Sequence, residues 1–170
     1  MNILYCIPHL YNAGGMERVL TQKVNWLAAN TSHTYTILTT ECTPIGVAET
    51  YFPLDKRVEM IREVYKDNDR VSVKPYNGLT TDFARTIGAN FLVRGVRTTA
   101  EFDFEKTIAD VNRRLTGIET ALLITSPEVS CISSSAVREL MSFGHDVRQW
   151  VPEAVYRHIQ QLPTCPHLTH

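Results

Sequence analysis

An α/β fold, with parallel strands in an open sheet and helices on both faces, is what this sequence predicts. Short apolar runs of strand length alternate with amphipathic stretches of helix length, and they do so five times. Strands separated by helices pair in parallel through right-handed crossovers rather than as hairpins. Composition sets the class: 170 residues, 44% hydrophobic, with 8 Gly and 8 Pro, describe an ordinary globular chain.

Ile3 to Ile7 is a compact buried-strand run, followed by a loop from Pro8 to Gly15. Met16 to Ala29 places Val19, Leu20, Val24, Leu27 and Ala28 on one side of a helix. The β-branched run Tyr35 to Thr40 is a strand, and residues 41–50, with Pro44 and Gly46, form a loop or junction. Leu54 to Lys66 is a helix with Val58, Ile61 and either Val64 or Tyr65 inward, its charged residues on the solvated face. Arg70 to Val73 is a short strand, and Thr80 to Ile87 a helix stopped by Gly88. A strand over Phe91 to Val96, a helix over Phe102 to Leu115 and a strand over Thr120 to Thr125 follow. The last helices are Ser134 to Phe143, ending at Gly144, and Pro152 to Leu162, with proline in its first turn. Residues 1–162 are expected to form one domain, and 163–170 a frayed tail.

Seventeen basic residues against eighteen acidic ones leave a net charge of −1, which gives no electrostatic footprint for nucleic acid or an anionic membrane. The cysteines Cys6, Cys42, Cys131 and Cys165 have no paired metal-ligand spacing, and three of the four lie in or beside apolar runs that favour buried, reduced thiols. Without a basic leader or a long apolar run, the expected location is the cytoplasm.

In an open parallel sheet, ligands bind beyond the carboxyl ends of the strands. Val93-Arg94-Gly95-Val96-Arg97 ends the fourth strand there. Its two guanidinium groups match phosphate oxygens in a forked geometry, and Gly95 admits a ligand to the backbone. The alternative is that both arginines pair with surface carboxylates. Ile132-Ser133-Ser134-Ser135 opens a helix, so its N–H groups and hydroxyls make an anion site, or else a simple N-cap. Glu105 and Asn112, seven apart, share a helical face, as a ribose or amide contact or as two solvated side chains.

The runs at 50–61 (Thr-Tyr-Phe-Pro-Leu-Asp-Lys-Arg-Val-Glu-Met-Ile), 78–84 (Gly-Leu-Thr-Thr-Asp-Phe-Ala) and 93–97 resemble bacterial phosphopantetheine adenylyltransferases. So do Phe-Asp-Phe-Glu at 102–105, Asn-Arg-Arg-Leu at 112–115, Ile-Ser-Ser-Ser-Ala-Val-Arg-Glu at 132–139 and Val-Pro-Glu at 151–153. The likeness covers residues from about 47 to 160. It implies a Rossmann-like nucleotidyltransferase fold, usually assembled as a hexamer. The implied reaction moves AMP from ATP to 4'-phosphopantetheine, giving dephospho-coenzyme A and pyrophosphate, with Mg²⁺. Carried over by position, Thr80, Arg94 and Asn112 would bind phosphopantetheine. ATP would fall to Gly95, Val96, Arg97 and Glu105, together with Val129, Ser130, Cys131, Ile132, Ser133, Ser134 and Ser135. A module that only holds adenine nucleotide or coenzyme A is the alternative.

The family pattern also has a Gly-Thr/Ser-Phe-Asp-Pro loop after the first strand, with Gly-His opening the first helix, and a lysine shortly before Tyr51. Here the first helix opens with Gly14-Gly15-Met16-Glu17, and residues 41–55 contain no lysine. The family catalytic histidine and lysine therefore have no counterpart by position, and His9 is the histidine nearest that loop. Residues 1–41 instead resemble the opening of a two-domain retaining glycosyltransferase, through Ala13-Gly14-Gly15-Met16-Glu17-Arg18-Val19. A glycosyltransferase fragment lacking its nucleotide-sugar domain is the least favoured reading. The change of likeness predicts a junction within residues 42–50. Because both families open strand, loop, helix, strand, the replacement segment is expected to complete the sheet without completing the active site.

Overall fold

The computed structural model describes residues 2–7, 15–40 and 52–162, with backbone alone for 5–7, 15–22 and 40. The sheet has five strands, β1 (Asn2–Ile7), β2 (Thr34–Thr40), β3 (Val71–Tyr76), β4 (Phe91–Val96) and β5 (Glu119–Ile124). They lie in the order β3-β2-β1-β4-β5, and every pairing is parallel. This is the predicted architecture, and its order reverses between β1 and β4, where such sheets open a crevice.

Alternation along each strand sorts side chains onto two faces. Ile3, Tyr35, Ile37, Val73 and Val93 point to one face. There they meet Val24 and Ala28 of α1 (Gly15–Asn30), Val58 and Ile61 of α2 (Leu54–Val64), and Tyr65, the C-cap of α2. Leu4, Leu38 and Leu92 point to the other face and meet Phe83 and Ala84 of α3 (Thr80–Thr86). Val58 and Ile61 of α2 and the C-cap Tyr65 are buried, while Val64 is half-buried. The outer side of α2 is not wholly solvated: Met60 packs with Phe52, Val137, Val147, Val151 and Val155, and Arg57 is buried too. The reason is a second layer. Val137 belongs to α6 (Ser134–Ser142) and Val155 to α7 (Glu153–Ile159), which lie over α2.

The remaining helices are α4 (Thr99–Thr116) and the single turn α5 (Pro127–Ser130). α4 starts three residues earlier than its apolar pattern indicates, because Thr98 caps it and accepts a hydrogen bond from the Glu101 N–H at 3.1 Å. Gly117, with φ 74°, ends it in the left-handed region that glycine alone enters without penalty. β3 runs through Pro75 to Tyr76, past its predicted end at Val73; proline is tolerated because β3 is an edge strand. The residues before position 41 supply β1, α1 and β2, and β1 pairs with β2 on one side and β4 on the other. The predicted junction at 42–50 and the tail at 163–170 lie outside the described residues.

Candidate active site

All five strands end at one edge. The connections after β4 (Arg97, Thr98) and β5 (Thr125, Ser126) are short, so the strand ends deliver their side chains to fixed places. The Thr125 N–H donates to the Val96 carbonyl at 2.9 Å, which ties the two strand ends together. Residues 8–14 and 41–51, which follow β1 and β2 in the sequence, lie outside the described residues, and His9 is among them.

Arg94 comes off β4 on the α3 face, where α4 crosses. Its Nε donates to Glu105 Oε2 at 2.7 Å and its Nη2 to Glu105 Oε1, a forked pair. Only 12% of the Arg94 side chain and 14% of Glu105 remain exposed. Arg97 forms a second fork, with Nη2 on Glu101 Oε1 at 2.5 Å and Nε on Oε2 at 3.4 Å. The Arg97 backbone N–H also donates to Glu101 Oε2, at 2.8 Å. Burial raises the Glu101 carboxyl, but the Arg97 side-chain and backbone hydrogen bonds and the Arg97 charge outweigh it and hold the group below its ordinary value. Both arginines therefore do pair with carboxylates, as the alternative reading has it. Those carboxylates lie on α4 at the ligand edge, not on an unrelated surface.

The serine segment adjoins this corner. Arg97 Nη1 donates to the Ile132 carbonyl at 3.3 Å, joining the end of β4 to the start of α6. Val129 and Ile132 are buried and pack against Trp150, so the segment is anchored from below. Ser133 is an N-cap, its Oγ accepting from the Ala136 N–H at 3.1 Å. Ser134 follows at the first helical position. Ser135 Oγ accepts from Arg138 Nη2 at 3.2 Å, so a third guanidinium stands beside the helix start. Ser130 and Cys131 are exposed, against the expectation of buried thiols in apolar runs. α5 turns the backbone there, so residue 131 faces out while 129 and 132 face in.

Arg94, Gly95, Val96, Arg97, Glu105 and the segment Val129 to Ser135 thus meet at one corner. Asn112 lies two turns along α4 from Glu105 and is half-buried, whereas most of that helix is exposed. Thr80 opens α3 beyond β3, three strand spacings from β4, or roughly 14 Å. It shares the edge but not the corner.

Sequence reasoning missed Glu101, Arg138, Trp150 and Lys23. Thr98-x-x-Glu101 is a capping-box pattern and would have revealed Glu101. The Val129/Ile132 spacing would have revealed the single turn that rests on Trp150. Lys23 of α1 donates to the carbonyls of Leu123 at 3.2 Å and Ile124 at 3.5 Å, at the end of β5, and burial lowers its amine from the ordinary 10.5. Nothing in the sequence pairs residues so far apart. The chain's Gly-His pair, Gly144-His145, follows α6 instead of opening α1. His158 is mostly covered and lies 3.3 Å from Glu63.

A cytidylyltransferase-like family model matches residues 24–140, starting inside α1 and so ahead of the motif likeness that begins near 47. The phosphopantetheine adenylyltransferase of Bacteroides thetaiotaomicron is 54% identical over 114 residues, 65% of this chain and 76% of the relative. The enzyme of that name from Bacteroides fragilis is 53% identical over 114 residues, with the same coverage. That from Porphyromonas gingivalis is 47% identical over 112 residues, 64% of this chain and 73% of the relative. Among solved structures, a universal stress protein in complex with cAMP aligns with 74% of this chain and 98% of its own at TM-score 0.46 and 18% identity. With its parallel sheet, its arginine pair and its serine-capped helix in the family's order, the chain belongs to the phosphopantetheine adenylyltransferases, within the cytidylyltransferase-like group.

Proposed function

We propose that this chain binds ATP and 4'-phosphopantetheine at the carboxyl edge of β4 and β5 and transfers AMP between them. In that reaction a phosphate oxygen of phosphopantetheine attacks the α-phosphorus of ATP. The bond to the β-phosphate breaks and pyrophosphate leaves, giving dephospho-coenzyme A. The observation that carries this reading is the corner itself: two arginines, each oriented by a carboxylate, next to a helix start lined with serines. Arg94 would receive phosphopantetheine, with Asn112 further along α4 and Thr80 across the edge, an arrangement suited to an extended substrate. Gly95 to Arg97, Glu105 and Val129 to Ser135 would hold ATP. The Arg94–Glu105 pair then joins residues assigned to the two different substrates.

Mg²⁺ fits here as part of the nucleotide. Among the described residues no cluster of three or more metal-ligating side chains occurs, and the two glutamates of the corner are engaged by arginines. Bound to the triphosphate, the ion would offset its negative charge. The family's loop histidine and lysine have no counterpart by position, and each transition-state donor lost typically lowers turnover about 10²–10³-fold. Slow turnover with intact binding is therefore the expectation.

Residues 1–162 are taken to act as one nucleotidyltransferase-like domain, working in the cytoplasm as a homo-oligomer, six copies by resemblance. Self-association is supported by α4, which buries no residue and shows Phe104, Ile108, Val111 and Leu115 as one exposed apolar stripe. No helix among the described residues is long and apolar enough to cross a membrane.

The test is pyrophosphate release from ATP and phosphopantetheine, with calorimetry of each ligand alone. Release supports the transfer reading, and H9A then asks whether His9 supplies the lost donor. Binding of both ligands with no release would make the chain a nucleotide and coenzyme A binding module. No binding of either would overturn the assignment of the corner.

A further inference from the structure

The geometry points to Glu101 as a positioning residue that sets the Arg97 fork and, through it, locks the serine segment onto the end of β4. This inference rests on the nucleotide reading above and adds a residue to it. Glu101 sits in the first turn of α4, which Thr98 caps, so its backbone is fixed before its side chain is considered. Its carboxylate takes three hydrogen bonds from Arg97: the backbone N–H at 2.8 Å, Nη2 at 2.5 Å and Nε at 3.4 Å. The backbone bond matters because it survives any swing of the guanidinium. Glu101 is therefore held in place by more than the group it orients.

A guanidinium has five N–H donors, arranged as a side fork (Nε with Nη2) and an end fork (Nη1 with Nη2). Glu101 occupies the side fork of Arg97, and Nη1 gives one hydrogen to the Ile132 carbonyl at 3.3 Å. These contacts use three of the five donors, which leaves one hydrogen on each terminal nitrogen. A phosphate can dock there without displacing the glutamate. Arg94 repeats the pattern, its side fork occupied by Glu105. The competing picture has a phosphate pulling Arg97 away from Glu101, so that the carboxylate opposes binding.

The two pictures predict opposite signs, and calorimetry of ATP on the full chain separates them. Under positioning, E101Q weakens ATP binding roughly tenfold, because the amide NH₂ faces guanidinium donors and the fork is lost. E101D restores the carboxylate and recovers most of the affinity. Phosphopantetheine affinity stays within about twofold in both variants, a split that general loosening of the fold would not give. Unchanged or tighter ATP binding by E101Q overturns the proposal.

Hydrogen exchange without any ligand separates this failure from failure of the nucleotide reading. E101Q should speed exchange of the Val129 and Ile132 amides while α7, residues 153–159, stays unchanged. Unaltered exchange at 129 and 132 overturns the lock whatever ATP does. If the parent chain does not bind ATP, the nucleotide reading falls, and Glu101 loses its positioning role with it even where exchange confirms the lock.

Discussion

At the residue scale the decisive feature is that the cations of the corner are not loose. Arg94 and Glu105 are both nearly covered, so removing one partner leaves a poorly solvated charge behind. R94M should therefore destabilise the protein by roughly 2–4 kcal/mol, seen as a lower urea midpoint, whereas R94M/E105L should recover most of the loss. If the double variant is no better than the single, the charge left on Glu105 is not the source of the cost. The same covering explains why these roles were only half legible in the sequence. Val-Arg-Gly-Val-Arg announces two arginines at the ligand edge, but a linear pattern does not say which carboxylate meets which guanidinium. The pairs span four and eleven residues. The capping box singles out Glu101 but not Arg97 as its partner. The longer one depends on how far α4 rotates over β4, which only packing decides.

At the element scale, apolar periodicity found every strand and every helix of seven residues or more. It failed where a cap or a single turn, not periodicity, makes the element. Thr98 draws the start of α4 forward, and α5 is too short to have a period. Nor does periodicity tell which partner an apolar face seeks. The α4 stripe of Phe104, Ile108, Val111 and Leu115 has the spacing of a core-facing helix, yet the sheet side of α4 is occupied by Glu105 on Arg94. That leaves about 16 Å of apolar ridge outward. V111E, placed in mid-stripe and 45% exposed already, should leave helix content and melting of the protomer nearly unchanged while reducing the sedimentation coefficient to that of a monomer. An unaltered coefficient from an oligomeric parent would move the interface elsewhere.

At the scale of the whole molecule, the two halves of the sheet, β2–β3 and β4–β5, are joined in the sheet only through β1. Leu4, fully buried in mid-strand, packs with Leu38 of β2 and Leu92 of β4. L4A should cost about 2–5 kcal/mol, and the urea transition should remain single whether followed by far-ultraviolet circular dichroism or by tryptophan emission. Two separated transitions would show that the halves hold independently. The segment that departs most from the family pattern is thus the one on which the sheet turns. Its strand residues, Leu4 above all, join the two halves of the sheet.

That central strand also has a consequence in time. During synthesis β1 leaves the ribosome long before β4, its partner on one side, which occupies residues 91–96. At roughly 5–20 residues per second the wait is on the order of 5–20 seconds, during which one edge of β1 has no neighbour from its own chain. Nascent chains at this stage are the ones most open to capture by chaperones or by each other. Translation rate between residues 40 and 96, more than the stability of the finished sheet, should then govern how much soluble protein a cell recovers.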